Sequence, residues 1–239
     1  MNGIANFICN NILYILAVVV IAYLIGSISP SIIITKITTK NEDIRNMGSG
    51  SAGFTNVLRS VGKTQAILTI LLDFAKGSIA VLVGAFIFSK IPLAETHHII
   101  INYGKYLAGL FVILGHIFPA FFGFRGGKGV VTFAAMIALV DWRVFLILLV
   151  IAMIILFVKK IVSLASIIGA ALYPVVPFCI TYFIDYLPHK GTSGAVSMSY
   201  IISATLISLV IGLIVIIKHK ENIKRLLKGE EKKISAKNK

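Results

Sequence analysis

The residues best equipped for chemistry lie in two short, glycine-rich, basic stretches. The first runs Asp43-Ile-Arg-Asn-Met-Gly-Ser-Gly-Ser-Ala-Gly-Phe-Thr-Asn-Val-Leu-Arg59 and the second Phe124-Arg-Gly-Gly-Lys-Gly129. In the first, Gly48, Gly50 and Gly53 allow positive φ and close backbone approach, so that successive N–H groups can cradle an anion. Ser49, Ser51, Thr55 and Asn56 add neutral hydrogen-bonding groups, and Arg59 adds a fork that matches paired phosphate oxygens. The second stretch repeats the logic with Gly126, Gly127 and Gly129 around Lys128, and Arg125 beside them. The chemistry this predicts is binding of two phosphates, their mutual repulsion offset by cations. Nucleotide readings do not fit. The GxGxxG match at Gly48–Gly53 has no strand before it, and Lys128 is followed by Gly129 and Val130 where a Walker loop needs Ser or Thr. The devices HxxxxD, GxSxG and HExxH are all absent.

Other candidates are less self-explanatory. Asp73 and Lys76 stand three residues apart inside an apolar segment, where ionisable groups either mark a functional site or brace a helix bundle. His116, in Gly115-His-Ile-Phe-Pro119, can cap a helix or line the site. Ser163 follows Lys159 and Lys160. His219, Asn222 and Arg225 recur at i, i+3 and i+6 and can share one helical face, pointing an imidazole and an amide at a ligand or simply making a polar helix that leaves the membrane. Glu221 stands four residues before Arg225 as a helix-favouring pair. His97 and His98 fall in an expected outward loop and receive no role. Cys9 and Cys179 have no metal-type spacing, so neither a metal nor a cofactor is expected.

The elements that must position these residues are membrane helices. Of 239 residues 58% are hydrophobic and only 13% charged, which excludes an ordinary soluble domain. Apolar segments near Ile12–Thr35, Thr64–Phe88, Tyr106–Phe124, Gly129–Val140, Val144–Val158, Ile161–Leu187 and Met198–Ile217 predict seven transmembrane helices in an all-α polytopic fold. The first eleven residues lack Lys and Arg, so the first segment reads as an anchor that stays rather than a leader. Gly129–Val140 is the weakest segment, but it must cross if charge is to sort. With seven crossings, eighteen of the 23 Lys and Arg residues fall on one side and four on the other, with Lys76 inside a span. The positive-inside rule then places the N-terminus outside and the glycine-rich loops and C-terminus in the cytoplasm. The net charge of +14 is explained by this asymmetry and calls for no nucleic acid. Two regions are expected, a membrane domain at 1–218 and a lysine-rich cytoplasmic extension of the last helix at 219–239 that carries part of the site.

Taken together, these motifs resemble the acyl-phosphate:glycerol-3-phosphate acyltransferases of the bacterial membrane, the PlsY family. The resemblance is carried by Asp43-Ile-Arg with Gly48-Ser-Gly and Thr55-Asn-Val-Leu-Arg59, by Leu72-Asp-Phe-Ala-Lys-Gly77, by Gly115-His-Ile-Phe-Pro119 with Gly126-Gly-Lys-Gly-Val-Val-Thr132, by Ser163-Leu-Ala-Ser166, and by Lys218-His-Lys-Glu-Asn-Ile-Lys-Arg225 with Gly229-Glu230. It implies a multi-pass protein of the bacterial inner membrane, acting on acyl phosphate and glycerol 3-phosphate at a cytoplasmic site, without cofactor or obligate protein partner. It also implies that Ser49, Thr55, Arg59, Lys128, Ser163, His219 and Asn222 line one substrate site. The sequence departs from the family at Ser51, usually Asn, at Phe54, usually Ala, and at Ala66, usually Gly. The proton of the attacking hydroxyl has two candidate acceptors, a substrate phosphate or His219. A carrier of phosphorylated metabolites is the rival from another class, but no repeated halves are visible.

Overall fold

A computed structural model describes residues 3–92, 97–192 and 196–234, and among them every regular element is helical. In chain order the helices are α1 (Gly3–Asn10), α2 (Ile12–Ser27), α3 (Pro30–Thr38), α4 (Phe54–Ser60), α5 (Lys63–Phe88), α6 (His97–Ile117), α7 (Val130–Val140), α8 (Trp142–Lys159), α9 (Val162–Leu172), α10 (Val175–Cys179), α11 (Met198–Lys218) and α12 (Lys220–Leu227). Six stretches of the described residues are long and apolar enough to cross a membrane: Ile12–Thr38, Lys63–Phe88, His98–Phe122, Trp142–Lys159, Val162–His189 and Met198–Lys218. Their outer faces expose Leu13, Leu82, Phe86, Phe157 and Leu206, as helices do when lipid is the solvent. The weak seventh segment is helical but short. With 11 residues α7 is roughly 16 Å long, about half the hydrocarbon thickness. His98 lies in the first turn of α6 and not in a loop, because the helix continues well before the apolar run that announced it.

The chain forms two compact units, divided between Val140 and Asp141. In the first, α2 packs on α5 and α6, and α7 closes against the same two helices. The α5–α6 contact is close enough that a Cβ on either Gly84 or Gly104 would strike the other's backbone oxygen, so at this crossing only glycine fits.

The first membrane stretch is broken between Ser27 and Pro30, and the break is repaired by a charge. Proline has no N–H to offer the carbonyl four residues earlier, that of Gly26. Lys76 of α5 supplies the missing donor, its Nζ lying 3.1 Å from the Gly26 oxygen and 2.6 Å from that of Ile28. Asp73, one turn back on α5, balances the ammonium at 3.0 Å. Its Oδ1 also lies 3.3 Å from His116 Nδ1 at the end of α6. All three side chains are buried, so the intramembrane ionisable pair serves as a brace joining three helices.

In the second unit α9 packs on α8 and α11. The expected segment at Ile161–Leu187 is present as one helical stretch of crossing length, Val162–His189, but it is not a regular α-helix throughout. After α9 come Pro174 and Pro177, then a π-helical segment at Ile180–Tyr186. Two prolines without N–H groups make a regular ladder impossible there. Asp185 in the π segment and Asp141 at the start of α8 both grip Arg143, with Nη2–oxygen distances of 2.7 and 2.8 Å.

Removing the Lys76 ammonium leaves Asp73 buried with only His116 beside it and two carbonyls without a donor. Lys76→Met is therefore expected to destabilise the first unit by about 3–5 kcal/mol. Thermal unfolding in detergent measures this, and an unshifted midpoint would refute the brace.

Candidate active site

The first glycine loop is organised by one buried amide. Asp43 starts a short turn at Ile44–Asn46 by accepting the Arg45 N–H at 2.9 Å. The Arg45 side chain bonds back onto Asp43 and thereby holds its carboxyl below the usual carboxylate range, against the opposing effect of burial. Asn56, at the third position of helix α4, then reaches back across the loop. Its Oδ1 accepts the Ser49 N–H at 3.0 Å, and its Nδ2 lies 3.1, 2.9 and 3.1 Å from the carbonyls of Ile44, Met47 and Ser51. The sequence places Asn56 among the groups offered to phosphate. Instead it is buried, and its amide gathers the loop's own backbone. Gly48 and Gly50 take left-handed φ of 54° and 70°, and a Cβ on Gly48 would strike the Asn56 amide. Gly53 is extended, as any residue can be. On the rim Ser49 is exposed, while Ser51, Thr55 and Arg59 are half-buried.

The second loop is fastened to the first. Arg45 Nη1 donates to the carbonyls of Phe122 and, at 3.2 Å, Arg125. The N–H groups of Gly126 and Gly127 donate to the Ile117 and His116 carbonyls at 3.1 and 3.2 Å. These two glycines, expected to present N–H groups to phosphate, therefore act differently. A Cβ on Gly127 would collide with the Ala52 carbonyl and the His116 ring, so the glycine lets the second loop lie directly on the first loop and on the brace residue His116. Lys128 follows, half-buried, and Gly129 turns the chain into α7 with φ of 77°. The first unit thus locks the segments bearing Arg59 and Lys128 onto one support.

In the second unit Ser163, Asn222 and Arg225 converge on a carboxylate that sequence reasoning did not single out. Glu231 Oε1 accepts the Ser163 hydroxyl at 2.8 Å and Asn222 Nδ2 at 2.6 Å, and Oε2 accepts Arg225 Nε at 2.7 Å. Burial pushes the Glu231 carboxyl up, but the donors of Ser163, Arg225 and Asn222 outweigh it and hold the group below its ordinary range. The signal was present in Gly229. That residue, at φ of 72°, closes a Schellman turn in which the Gly229 and Glu230 N–H groups reach the Leu226 and Arg225 carbonyls. The chain then returns along α12, and the Ile234 N–H meets the Lys160 carbonyl. The expected pair of Glu221 with Arg225 is absent from this arrangement: Glu221 lies near Lys224 instead, at 3.5 Å. Glu231 outcompetes it because burial strengthens an ion pair.

His219 is not on a continuous last helix. It is the junction between α11 and α12, buried, with Nδ1 2.7 Å from the Val215 carbonyl. A carbonyl only accepts, so Nδ1 carries a proton. Asn222 Oδ1 is buried without a hydrogen-bond partner among the described groups.

The architecture is that of an integral membrane protein whose first unit carries two interlocked basic glycine loops and whose second carries a hydroxyl–amide–carboxylate cluster. Comparison with known proteins gives that class a family. Residues 16–229 match the model for glycerol-3-phosphate acyltransferase. The glycerol-3-phosphate acyltransferase of Prochlorococcus marinus (strain MIT 9312) is 39% identical over 91% of this chain and 96% of its own length. That of Thermoanaerobacter sp. (strain X514) is 37% identical over 94% and 98%. Among solved structures, the glycerol 3-phosphate form of PlsY (YgiH), an integral membrane glycerol 3-phosphate acyltransferase, superposes with a TM-score of 0.73 at 34% identity, covering 92% of this chain and 96% of that one. Its lysophosphatidic acid form gives a TM-score of 0.70 at 33% identity. The chain belongs to the glycerol-3-phosphate acyltransferase family.

Two outcomes follow from this geometry. Gly127→Ala is expected to lower product formation by at least about tenfold through displacement of the Lys128 loop, since small misplacements of positioning groups are magnified in rate. Full activity would show that the loops tolerate separation. Glu231 has a lowered folded pKa, so its contribution to stability is present above the ordinary carboxylate range, near pH 4.3, and is lost as pH falls through the folded value. Glu231→Gln should therefore lower the unfolding midpoint at pH 7, with the difference from the parent protein shrinking under acid. An equal difference at pH 7 and at an acidity where the folded parent's Glu231 is protonated would contradict this.

Proposed function

We propose that the protein transfers an acyl group from acyl phosphate to the 1-hydroxyl of glycerol 3-phosphate, giving 1-acylglycerol 3-phosphate for phospholipid synthesis. The observation that carries this reading is the contact of the two basic glycine loops. Gly127 lies against the Ala52 carbonyl, and Arg45 ties Phe122 and Arg125 to the first loop. Two cation-bearing segments on one support suit a reaction in which two phosphorylated substrates must be held close despite like charge.

The chemistry is substitution at an acyl carbon. The glycerol hydroxyl oxygen attacks the carbonyl carbon, the carbon–oxygen bond to phosphate breaks, and inorganic phosphate leaves with the electron pair. Arg59, Lys128, Ser49, Ser51 and Thr55 are assigned to binding and charge neutralisation. Gly50, Asn56, Gly126 and Gly127 shape the loops, with Asp73, Lys76 and His116 behind them. Because phosphate already leaves well, orientation and charge stabilisation lower the barrier without a nucleophilic side chain. The hydroxyl proton passes to a substrate phosphate or to His219. In the second unit, the unpartnered Asn222 Oδ1 suits a substrate hydroxyl as donor, with Ser163 and Arg225 beside it.

The fold reading that accompanies this function has seven crossings, with α7 as the short one, N-terminus outside, and the basic loops and the extension at 219–239 in the cytoplasm of a bacterial cell. The eighteen-to-four distribution of basic residues supports it.

Purified protein given acyl phosphate and labelled glycerol 3-phosphate should form the lysolipid and release phosphate. Lys128→Ala is expected to lower kcat/KM by on the order of 100-fold or more. Acyl-CoA or acyl carrier protein serving equally well would overturn the donor assignment. Uptake of glycerol 3-phosphate into liposomes without lysolipid formation would overturn the enzyme reading.

A further inference from the structure

The turn leading from α6 to Lys128 exposes three phenylalanines, Phe118 at 43%, Phe121 at 59% and Phe124 at 60%. Its backbone is fixed at nearly every step. The Tyr23 hydroxyl donates to the Phe118 carbonyl at 2.7 Å, and the Ala120 N–H donates to Ser27 Oγ at 3.2 Å. The Phe122 and Phe124 N–H groups both reach the Pro119 carbonyl, at 3.1 and 3.0 Å. Arg45 holds the carbonyls of Phe122 and Arg125. Within this frame Gly123 and Phe124 are both left-handed, at φ of 64° and 58°. Glycine takes that conformation freely; a bulky aromatic residue rarely does. The scaffold therefore holds Phe124 outward in a backbone state it does not favour, and such placements concentrate at functional sites.

The location narrows the occupant. The apolar stretch His98–Phe122 ends in this turn, so the three rings stand where a membrane-crossing segment emerges. Exposed Arg125 follows directly, and Lys128 comes four residues after Phe124. Aromatic surface abutting cations at a membrane boundary complements an amphiphile with an anionic head and a long apolar tail. We infer that Phe118, Phe121 and Phe124 form the landing surface for the acyl chain of the donor, laying the tail along the turn while its phosphate reaches the Lys128 loop. The inference rests on acyl phosphate being the donor, as proposed above. It makes the turn a determinant of chain-length preference. Bulk lipid resting on the same rings would give no dependence on the donor's tail.

The test uses the full-length protein in phosphatidylglycerol nanodiscs, with hexadecanoyl phosphate and butanoyl phosphate as alternative donors. In Phe121→Ser and Phe124→Ser, KM for the long donor should rise roughly tenfold more than KM for the short one, the factor corresponding to one aromatic side chain no longer covered. Phe121→Leu, which keeps an apolar surface, should retain most of the long-donor preference. Equal factors for both donors, or no change in either, would overturn the landing surface. Parent protein inert toward both acyl phosphates would overturn the donor reading itself, and the inference with it.

Discussion

A single ammonium group inside the membrane stretch holds much of the first unit together. Pro30 deprives the Gly26 carbonyl of its helical partner, and hydrocarbon offers no water as a substitute. Lys76 fills the gap, which requires Asp73 to balance its charge, and Asp73 in turn meets His116. His116 then provides both a carbonyl and a ring surface for Gly127, so a defect in one helix is linked through four residues to the loop that carries Lys128. The buried charges are expensive individually and consistent collectively, because each supplies what its neighbour lacks.

The same economy of parts governs the loops. Glycine motifs invite the assumption that every N–H faces a ligand. Here the N–H groups of Ser49, Gly126 and Gly127 are engaged by the protein itself, and the glycines mainly allow close packing of loop on loop. What is held in place is a set of side chains, with Arg59 and Lys128 as its cations. In the second unit Glu231 plays the organising part that Asn56 plays in the first, drawing Ser163, Asn222 and Arg225 to one point.

Much of this was legible in the sequence. Unbroken apolar runs announced the membrane helices, and the spacing of Asp73 and Lys76 announced an ion pair, because both depend on local chain geometry. The partners of Lys76 were not legible: Gly26 and Ile28 lie about fifty residues away, and nothing in a sequence marks a carbonyl as orphaned except the proline four positions on. The sequence presents Asn56 as one donor among several, because type and spacing do not say which way an amide points. The role of Glu231 is not legible in the sequence, since it depends on a turn at Gly229 that reverses the chain, and Glu221 is the nearer partner for Arg225 along a helix. The irregular segment after α9 is marked in the sequence by Pro174 and Pro177, but hydropathy alone reads the run as one uniform span.

The brevity of α7 bears on how the two substrates arrive. As the proposed seventh crossing, α7 with its 11 residues falls short of the hydrocarbon layer by more than about ten ångströms. Tilting makes such a mismatch worse, so the bilayer must thin around the helix or polar groups at its ends must sit recessed below the headgroup plane. The loop of Gly126 to Gly129 enters α7 directly and would be set at that depth. A water-soluble phosphate must then descend to meet Lys128, whereas a lipid-borne one needs to rise less far out of the leaflet. The mismatch would shorten the journey of the substrate whose tail resists leaving the membrane.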